Sequence, residues 1–410
     1  MTLTYKRYIS VGILLAGLLI AVILQSRSFI AGYSVSIIVW WMIERDLNIK
    51  VWQLWCGLIG FVVLLAILTI CVKSNSTLGR MLIYKISWDI FKEHYINGIG
   101  WGKFQQQYGL YQAAYFKTGK YTTKELLLAG NTYFAFNDYW QLIIELGIKG
   151  VLILAVLIVS FGKLIQNLFK NKSVFPFCLQ LAVTQVTAIV IAAFFTHIFE
   201  KLYIQIIVVC LTAVLIFYRY NGLIKVKYIM LCLVVICLSL SAGVINFYIV
   251  NYQRYQQWRY AIDCLRIGYL SNARQQYMSI YPCFKHYPPY LNDYSNFLIE
   301  TQQYEEAIGI ILQLLKQKTT NTYFVNLGDC YFHIHRFKDA ELSYTTAVFI
   351  VPNRFEPRYA LYKFYISTGQ INKAIVCANA ILALPVKVPS ARVIFIQNAV
   401  KQALTRRKIY

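Results

Sequence analysis

From Asn137 to Glu145 the chain reads NDYWQLIIE, and Asn137, Asp138, Gln141 and Glu145 set amides and carboxylates at the mouth of an apolar run. Asp138 and Glu145 are seven residues apart, two turns along nearly one helix face. A carboxylate there can take a proton from a reacting group. The run from 140 to 162 is long enough to span a bilayer, so Glu145 would lie in the membrane edge. An ionisable group at that depth is rare and either functional or paired. Lys149 stands at the favoured i,i+4 spacing for such a pair, so both readings stay open. Gly147 and Gly150 would let a neighbouring helix approach closely.

Further upstream is GIGWGKF, residues 98–104. Gly98, Gly100 and Gly102 permit a tight turn and close backbone approach to a phosphate, and Lys103 adds a charge. No strand, turn and helix surround the glycines, so a nucleotide-binding fold is excluded. Arg80 opens an amphipathic helix in which Met81, Tyr84, Trp88 and Phe91 recur at helical spacing, a stripe expected to pack on the membrane or bundle. Arg27 lies between two apolar runs, where the bland reading is an arginine snorkelling to the interface.

The chain that must position these groups has 410 residues, 58% hydrophobic and 14% charged. That balance predicts an all-α chain split into a multi-pass membrane part and a soluble part. Seven runs are long enough to span, at about 8–25, 28–43, 51–72, 140–162, 174–198, 202–218 and 228–249. The first lacks a small-residue cleavage site and is expected to be retained. Lys6, Arg7, Arg45, Lys50, Lys163, Lys170, Lys172, Arg219, Lys225 and Lys227 then share one side, which the positive-inside rule makes cytoplasmic. The expected division is a membrane domain over 1–250, with an outside loop at 73–139, and a second domain over 251–410. The net charge of +23 suits a polyanionic lipid or glycan, or the membrane surface. Nucleic acid is excluded as a partner, because the basic surface would face away from the cytoplasm. The ten cysteines show no ligand spacing, and His333 and His335 point to different helix faces, so no metal is expected.

The second domain repeats. Ala273, Ala307, Ala340 and Ala374 are 34, 33 and 34 residues apart, each in a related phrase. Twelve residues earlier stand Ala261, Ser295 and Gly328, with Tyr362 breaking the small-residue rule in the fourth repeat. Tyr277 and Tyr344 follow their alanines by four, and Pro352 and Pro385 end second helices. The period is similar to that of tetratricopeptide repeats, about four of them over roughly 253–403. Such an α-solenoid offers a concave surface to a protein partner.

Taken in order, Ser26-Arg27, Gly79-Arg80, GIGWGKF and NDYWQLIIELGIKG resemble the O-antigen ligase superfamily over about 10–165. That superfamily includes O-antigen ligases, O-antigen polymerases and some protein O-oligosaccharyltransferases. Several usual upstream spans do not precede these motifs, so the chain is a shortened member or its start lies inside a longer reading frame. The resemblance implies transfer of a glycan from an undecaprenyl-diphosphate carrier to a lipid, polysaccharide or protein acceptor. The reaction would run on the periplasmic face of the bacterial inner membrane, in envelope or lipopolysaccharide biosynthesis, without metal or other cofactor. It assigns Arg27 and Arg80 to the diphosphate, whose developing charge a planar, permanently charged guanidinium fits. Asn137 and Gln141 would hold the sugar or cap the helix, and Tyr139 would hydrogen-bond a sugar or mark the interface.

The family's general base is a histidine just before the asparagine, and here that position is Phe136. A phenyl ring takes no proton, so either the chemistry is lost or Asp138, Glu145 or His94 replaces the base. The alternative function is a non-catalytic, membrane-anchored repeat scaffold for envelope glycan assembly. A flippase is disfavoured, since no paired broken helices recur in two halves.

Overall fold

The computed structural model describes residues 3–44, 74–170, 177–219 and 226–407. All regular structure among them is α-helical, as the composition predicts. Among the described residues no helix is long and apolar enough to cross a membrane, so the expected spans that fall there do not appear as spans. Helices do occupy most of the apolar runs, as Leu3–Ile23, Arg27–Glu44, Phe177–Ala193 and Leu202–Arg219. The run at 51–72 lies outside the described residues. The run at 140–162 is broken at Gly147, whose φ of 62° ends the Asp138–Leu146 helix before Ile148–Lys170 begins. The run at 174–198 stops being helical at Ala193. The last run opens a 41-residue helix, Val226–Arg266, that continues into polar sequence. Hydropathy averages composition over a window; glycine conformation and polar interruptions set where these helices end.

The chain divides into two compact units. The first comprises Met1–Thr77, His94–Trp101 and Phe134–Ile245. Its helices meet through small residues and side-chain hydrogen bonds. A Cβ at Gly32 would come within 2.3 Å of the Ala188 carbonyl oxygen, so Arg27–Glu44 packs backbone-close on Phe177–Ala193. Ser36 Oγ donates to the Thr184 carbonyl at 2.7 Å, and the Tyr33 hydroxyl donates to Gln185 Oε1 at 3.1 Å. Small residues and such hydrogen bonds let the two helices approach closely.

The second unit comprises Leu78–Glu93, Gly102–Tyr133 and Asn246–Tyr410. Two pieces of the 73–139 stretch, Leu78–Glu93 and Gly102–Tyr133, belong with the tail. Consecutive tail helices pack on one another, as Pro288–Glu300 on Tyr304–Leu315 and Asn321–His333 on Phe337–Ile350. The four period alanines are all 0% exposed, and Ser295 and Tyr362 are buried too. At Gly328 a Cβ would meet the Tyr344 ring at 2.7 Å, so the small residue makes room for the aromatic.

A further period accompanies the alanines. Gly268, Gln302, His335 and Gly369 all have positive φ, and each precedes its alanine by five residues. After each, the next N–H donates to the carbonyl five residues back: Tyr269 to Cys264, Gln303 to Leu298, Arg336 to Tyr331 and Gln370 to Tyr365. This is the Schellman closure of a helix end. It explains His335 as a turn residue, while His333 stacks on Tyr304 with ring centroids 4.4 Å apart.

The segment 102–133 is fastened to the tail by side chains that satisfy backbone. Asn353 Nδ2 donates to the carbonyls of Leu126 at 2.8 Å and Ala129 at 2.7 Å. Gln112 Nε2 donates to Gly130 O at 2.9 Å and to Ile350 O. Thr319 donates through N–H to Gln105 O at 3.0 Å and through Oγ1 to Gln106 O at 2.6 Å. Gly109 makes room for this, since its Cβ would meet Thr319 Cγ2 at 2.7 Å. On the Ser74–His94 helix the buried stripe is Leu82, Ile83, Ile86 and Ile90, whereas Met81 and Trp88 are half exposed. Within the protein the smaller aliphatics make the close helix contact, and the Met81, Tyr84, Trp88 and Phe91 stripe is not the one packed against other helices.

Candidate active site

The polar residues at the start of the 140–162 run form one connected cluster in the first unit. Asn137 is the N-cap of Asp138–Leu146, its Oδ1 accepting from the Trp140 N–H at 3.0 Å. Of the two roles open to Asn137, capping is the one seen. Asp138 Oδ2 accepts from the N–H groups of Ile198 at 2.8 Å and Phe199 at 3.2 Å, tying the helix start to the turn after Ala193. Burial pushes the Asp138 carboxyl up to about 6, against the downward pull of those two N–H groups. Tyr139 donates its hydroxyl to the Val190 carbonyl at 2.7 Å, which fixes it to the Phe177–Ala193 helix.

Gln141 bridges inward. Its Oε1 accepts from the Ala135 N–H at 3.2 Å, and its Nε2 donates to Glu145 Oε1 at 3.2 Å. Glu145 is 4% exposed while Lys149 is exposed, so burial of the carboxylate is matched by the Gln141 amide.

The glycine loop closes on the far end of the same helix. The Ile99 N–H donates to Ile144 O at 3.1 Å, Gly100 N–H to Glu145 O at 2.9 Å, and Ile148 N–H to Tyr95 O at 2.8 Å. A Cβ at Gly98 would be 2.1 Å from the Glu145 carbonyl oxygen, and one at Gly147 would be 2.6 Å from Tyr95 O. Gly147 thus admits the 95–98 loop, and Gly150 admits Leu142 O of the preceding helix at 2.7 Å, where a separate neighbouring helix was expected. Both motifs, read separately in sequence, are one structure held by backbone.

The structure brings Gly98, Gly100, Asn137, Asp138, Gln141 and Glu145 into this unit. Arg27 is in the same unit, exposed, at the first residue of its helix. A Schellman turn at Gln25, φ 51°, delivers it there, with Ser26 N–H donating to Ala21 O at 2.9 Å. Arg80, half-buried on Ser74–His94, falls in the second unit with Gly102 and the exposed Lys103. His94 is the exposed last residue of its helix, its carbonyl accepting from Gly98 N–H at 2.8 Å.

One residue of the cluster was not singled out from sequence. His197 stacks on Phe134 with centroids 4.1 Å apart and planes 6° from parallel, and meets the edge of Phe136 at 5.4 Å. Sequence placed it inside an apolar run, and only the break after Ala193, with Glu200 and Lys201 following, could have flagged it. Phe136 itself has φ 54°, a left-handed conformation uncommon for an aromatic side chain. Among the described residues no group of His, Cys, Asp or Glu could hold a metal ion.

No curated protein matches the chain. Residues 12–155, about a third of the length, match the family model described as O-Antigen ligase, so this stretch supports the O-antigen ligase superfamily.

Proposed function

We propose that the chain transfers a glycan from an undecaprenyl-diphosphate-linked donor to a hydroxyl of a lipid, polysaccharide or protein acceptor. The reaction would take place at the periplasmic face of the bacterial inner membrane. The observation that carries this reading is the O-antigen ligase match over 12–155, which contains both arginines, the glycine loop and the polar helix. The apolar runs are its membrane anchor, and the 253–403 helices, taken as tetratricopeptide repeats, recruit the acceptor or an assembly partner.

The chemistry follows from charge. As the bond from the sugar to the diphosphate breaks, the leaving oxygens gain negative charge, and fixed cations stabilise that change. Arg27 is a cation at a helix N-terminus, where the backbone dipole is positive as well. That placement is unfavourable for the helix alone and favourable toward an anion. Arg80 is taken as a second diphosphate contact, and Lys103 and the 98–102 glycines as donor-binding residues, on the family resemblance alone. Asn137 and Gln141 keep the helix start in place beneath the sugar.

The test is direct. Purified full-length protein in lipid, given a lipid-diphosphate-linked oligosaccharide and a hydroxyl acceptor, should release the lipid diphosphate and form the glycosylated acceptor. Absence of turnover, with partner capture by 253–403 intact, would instead support a scaffold.

A further inference from the structure

We propose that a cavity among the tail helices is a binding site for an uncharged sugar residue. Its role, holding a saccharide acceptor, rests on the glycan-transfer function above. The cavity has a volume of about 710 Å³, a size that suits a small-molecule site, and lies between the turns of the third and fourth repeats. Phe332, His333, His335 and Phe337 line it from the third turn, and Thr368 and Gln370 from the fourth.

These rings are not a requirement of the repeat. Counted back eight, seven, five and three residues from the period alanine, the third repeat has a ring at every place. The first repeat has Leu265, Arg266, Gly268 and Leu270 there, and the fourth has Ile366, Ser367, Gly369 and Ile371. In the second only Tyr304 is a ring. His335 holds φ 60° where the first and fourth repeats have glycine, so its imidazole lines the cavity from a backbone conformation that favours glycine.

The walls are fixed by packing and hydrogen bonds. One face of His333 is covered by Tyr304, with centroids 4.4 Å apart and planes 5° from parallel. Phe337 lies 6.0 Å from Phe332 and meets His335 edge-on at 5.7 Å. Gln370 Nε2 donates to Thr368 Oγ1 at 3.0 Å, and Thr368 Oγ1 donates on to Phe364 O at 2.9 Å. That bond uses one amide N–H, so the second N–H and Oε1 of Gln370 can serve a ligand.

The lining selects the ligand class. No Asp, Glu, Lys or Arg is among the lining residues, and the adjacent Arg336 is paired with Asp339 at 2.7 Å. A charged ligand would find no fixed counter-charge there. Four rings offer flat faces, and hydroxyl and amide groups stand beside them. A sugar ring has the same division, with C–H groups on its faces and hydroxyls round its edge. A peptide strand would need a row of backbone partners, which ring walls do not supply.

Full-length protein in lipid, titrated with neutral oligosaccharides of glucose, galactose, mannose and N-acetylglucosamine, tests the site by saturation-transfer NMR of the sugar. At least one should bind, and Phe337→Ala and His335→Gly should each weaken it about tenfold. His335→Gly is the sharper variant, because glycine suits the left-handed turn: thermal stability should hold or rise while affinity falls. A histidine that only closes the turn would leave affinity unchanged. Wild type that binds none of the four sugars overturns the proposal, and so does equal binding by wild type and both variants. Binding of a tetra-alanine peptide in place of the sugars also overturns it. The readout is equilibrium binding and needs no turnover. Sugar binding lost in both variants, with no product from the lipid-diphosphate donor, keeps the site and removes the transfer function. Product from wild type and both variants alike, with no sugar bound, removes the site and keeps the function.

Discussion

Gly98 lies against the backbone of Glu145: a Cβ at residue 98 would come within 2.1 Å of the Glu145 carbonyl oxygen. With Gly100 N–H donating to that same oxygen at 2.9 Å, the glycine loop is a clasp on the end of the polar helix. Gly98→Ala should therefore cost more than the about 1–2 kcal/mol of left-handed strain. Gly102→Ala, at φ 71° with nothing within 4 Å of its Cβ, should cost that strain and little else. Protease sensitivity of the 95–102 loop in the two variants separates them, and equal sensitivity would contradict the clasp.

Asn353 offers a second check. Its amide serves backbone carbonyls on the 102–133 segment from a side chain 8% exposed. Asn353→Ala leaves those carbonyls short of a donor, a loss of about 1–3 kcal/mol. Hydrogen exchange should rise across 123–131 before it rises in the Pro288–Glu300 helix. Unchanged exchange there would show that the segment is held by other contacts.

The repeat turns predict a gain. Gln302 occupies a left-handed Schellman position that Gly268 and Gly369 fill in the first and fourth repeats. Gln302→Gly should slow exchange of the amides near 298–303, by up to about 1 kcal/mol. Gly369→Ala should speed exchange near 365–370 by a similar amount. The reverse signs would mean the turn geometry is not the determinant.

Asp138 predicts a pH dependence. Its carboxyl goes from an ordinary 3.8 to about 6 in the fold, chiefly through burial, so the folded chain binds that proton more tightly than the unfolded one. The stabilising contribution is full below the unfolded value and is lost as pH rises through about 6. Wild type should thus lose thermal midpoint between pH 4 and 7 relative to Asp138→Asn. Parallel curves for the two proteins would remove the basis for a raised carboxyl.

Sequence reading reached the parts of this molecule that local pattern encodes. The period alanines are buried because a small residue every 33 or 34 positions is what close helix pairs need, and that is visible without coordinates. Helical spacing alone marks two stripes on the Ser74–His94 helix, and it is Ile86 and Ile90, both 0% exposed, that hold the contact within the protein. Gly147 was seen as a helix-approach residue, yet a single backbone angle there divides the apolar run. For His197 the local signal was only the charged Glu200 and Lys201 that follow it, since its partners Phe134 and Phe136 are about sixty residues away. The grip of Asn353 on Leu126 spans 227 residues and had no trace in composition.

The central claim is that guanidinium groups stabilise a departing lipid diphosphate. Measuring release of that diphosphate from a lipid-linked oligosaccharide by wild type, Arg27→Ala and Arg80→Ala tests it most directly. A fall of about 10²–10³-fold in each variant, the scale for losing one preorganised donor to a developing anion, is the predicted result. Release at the wild-type rate by both variants would contradict it.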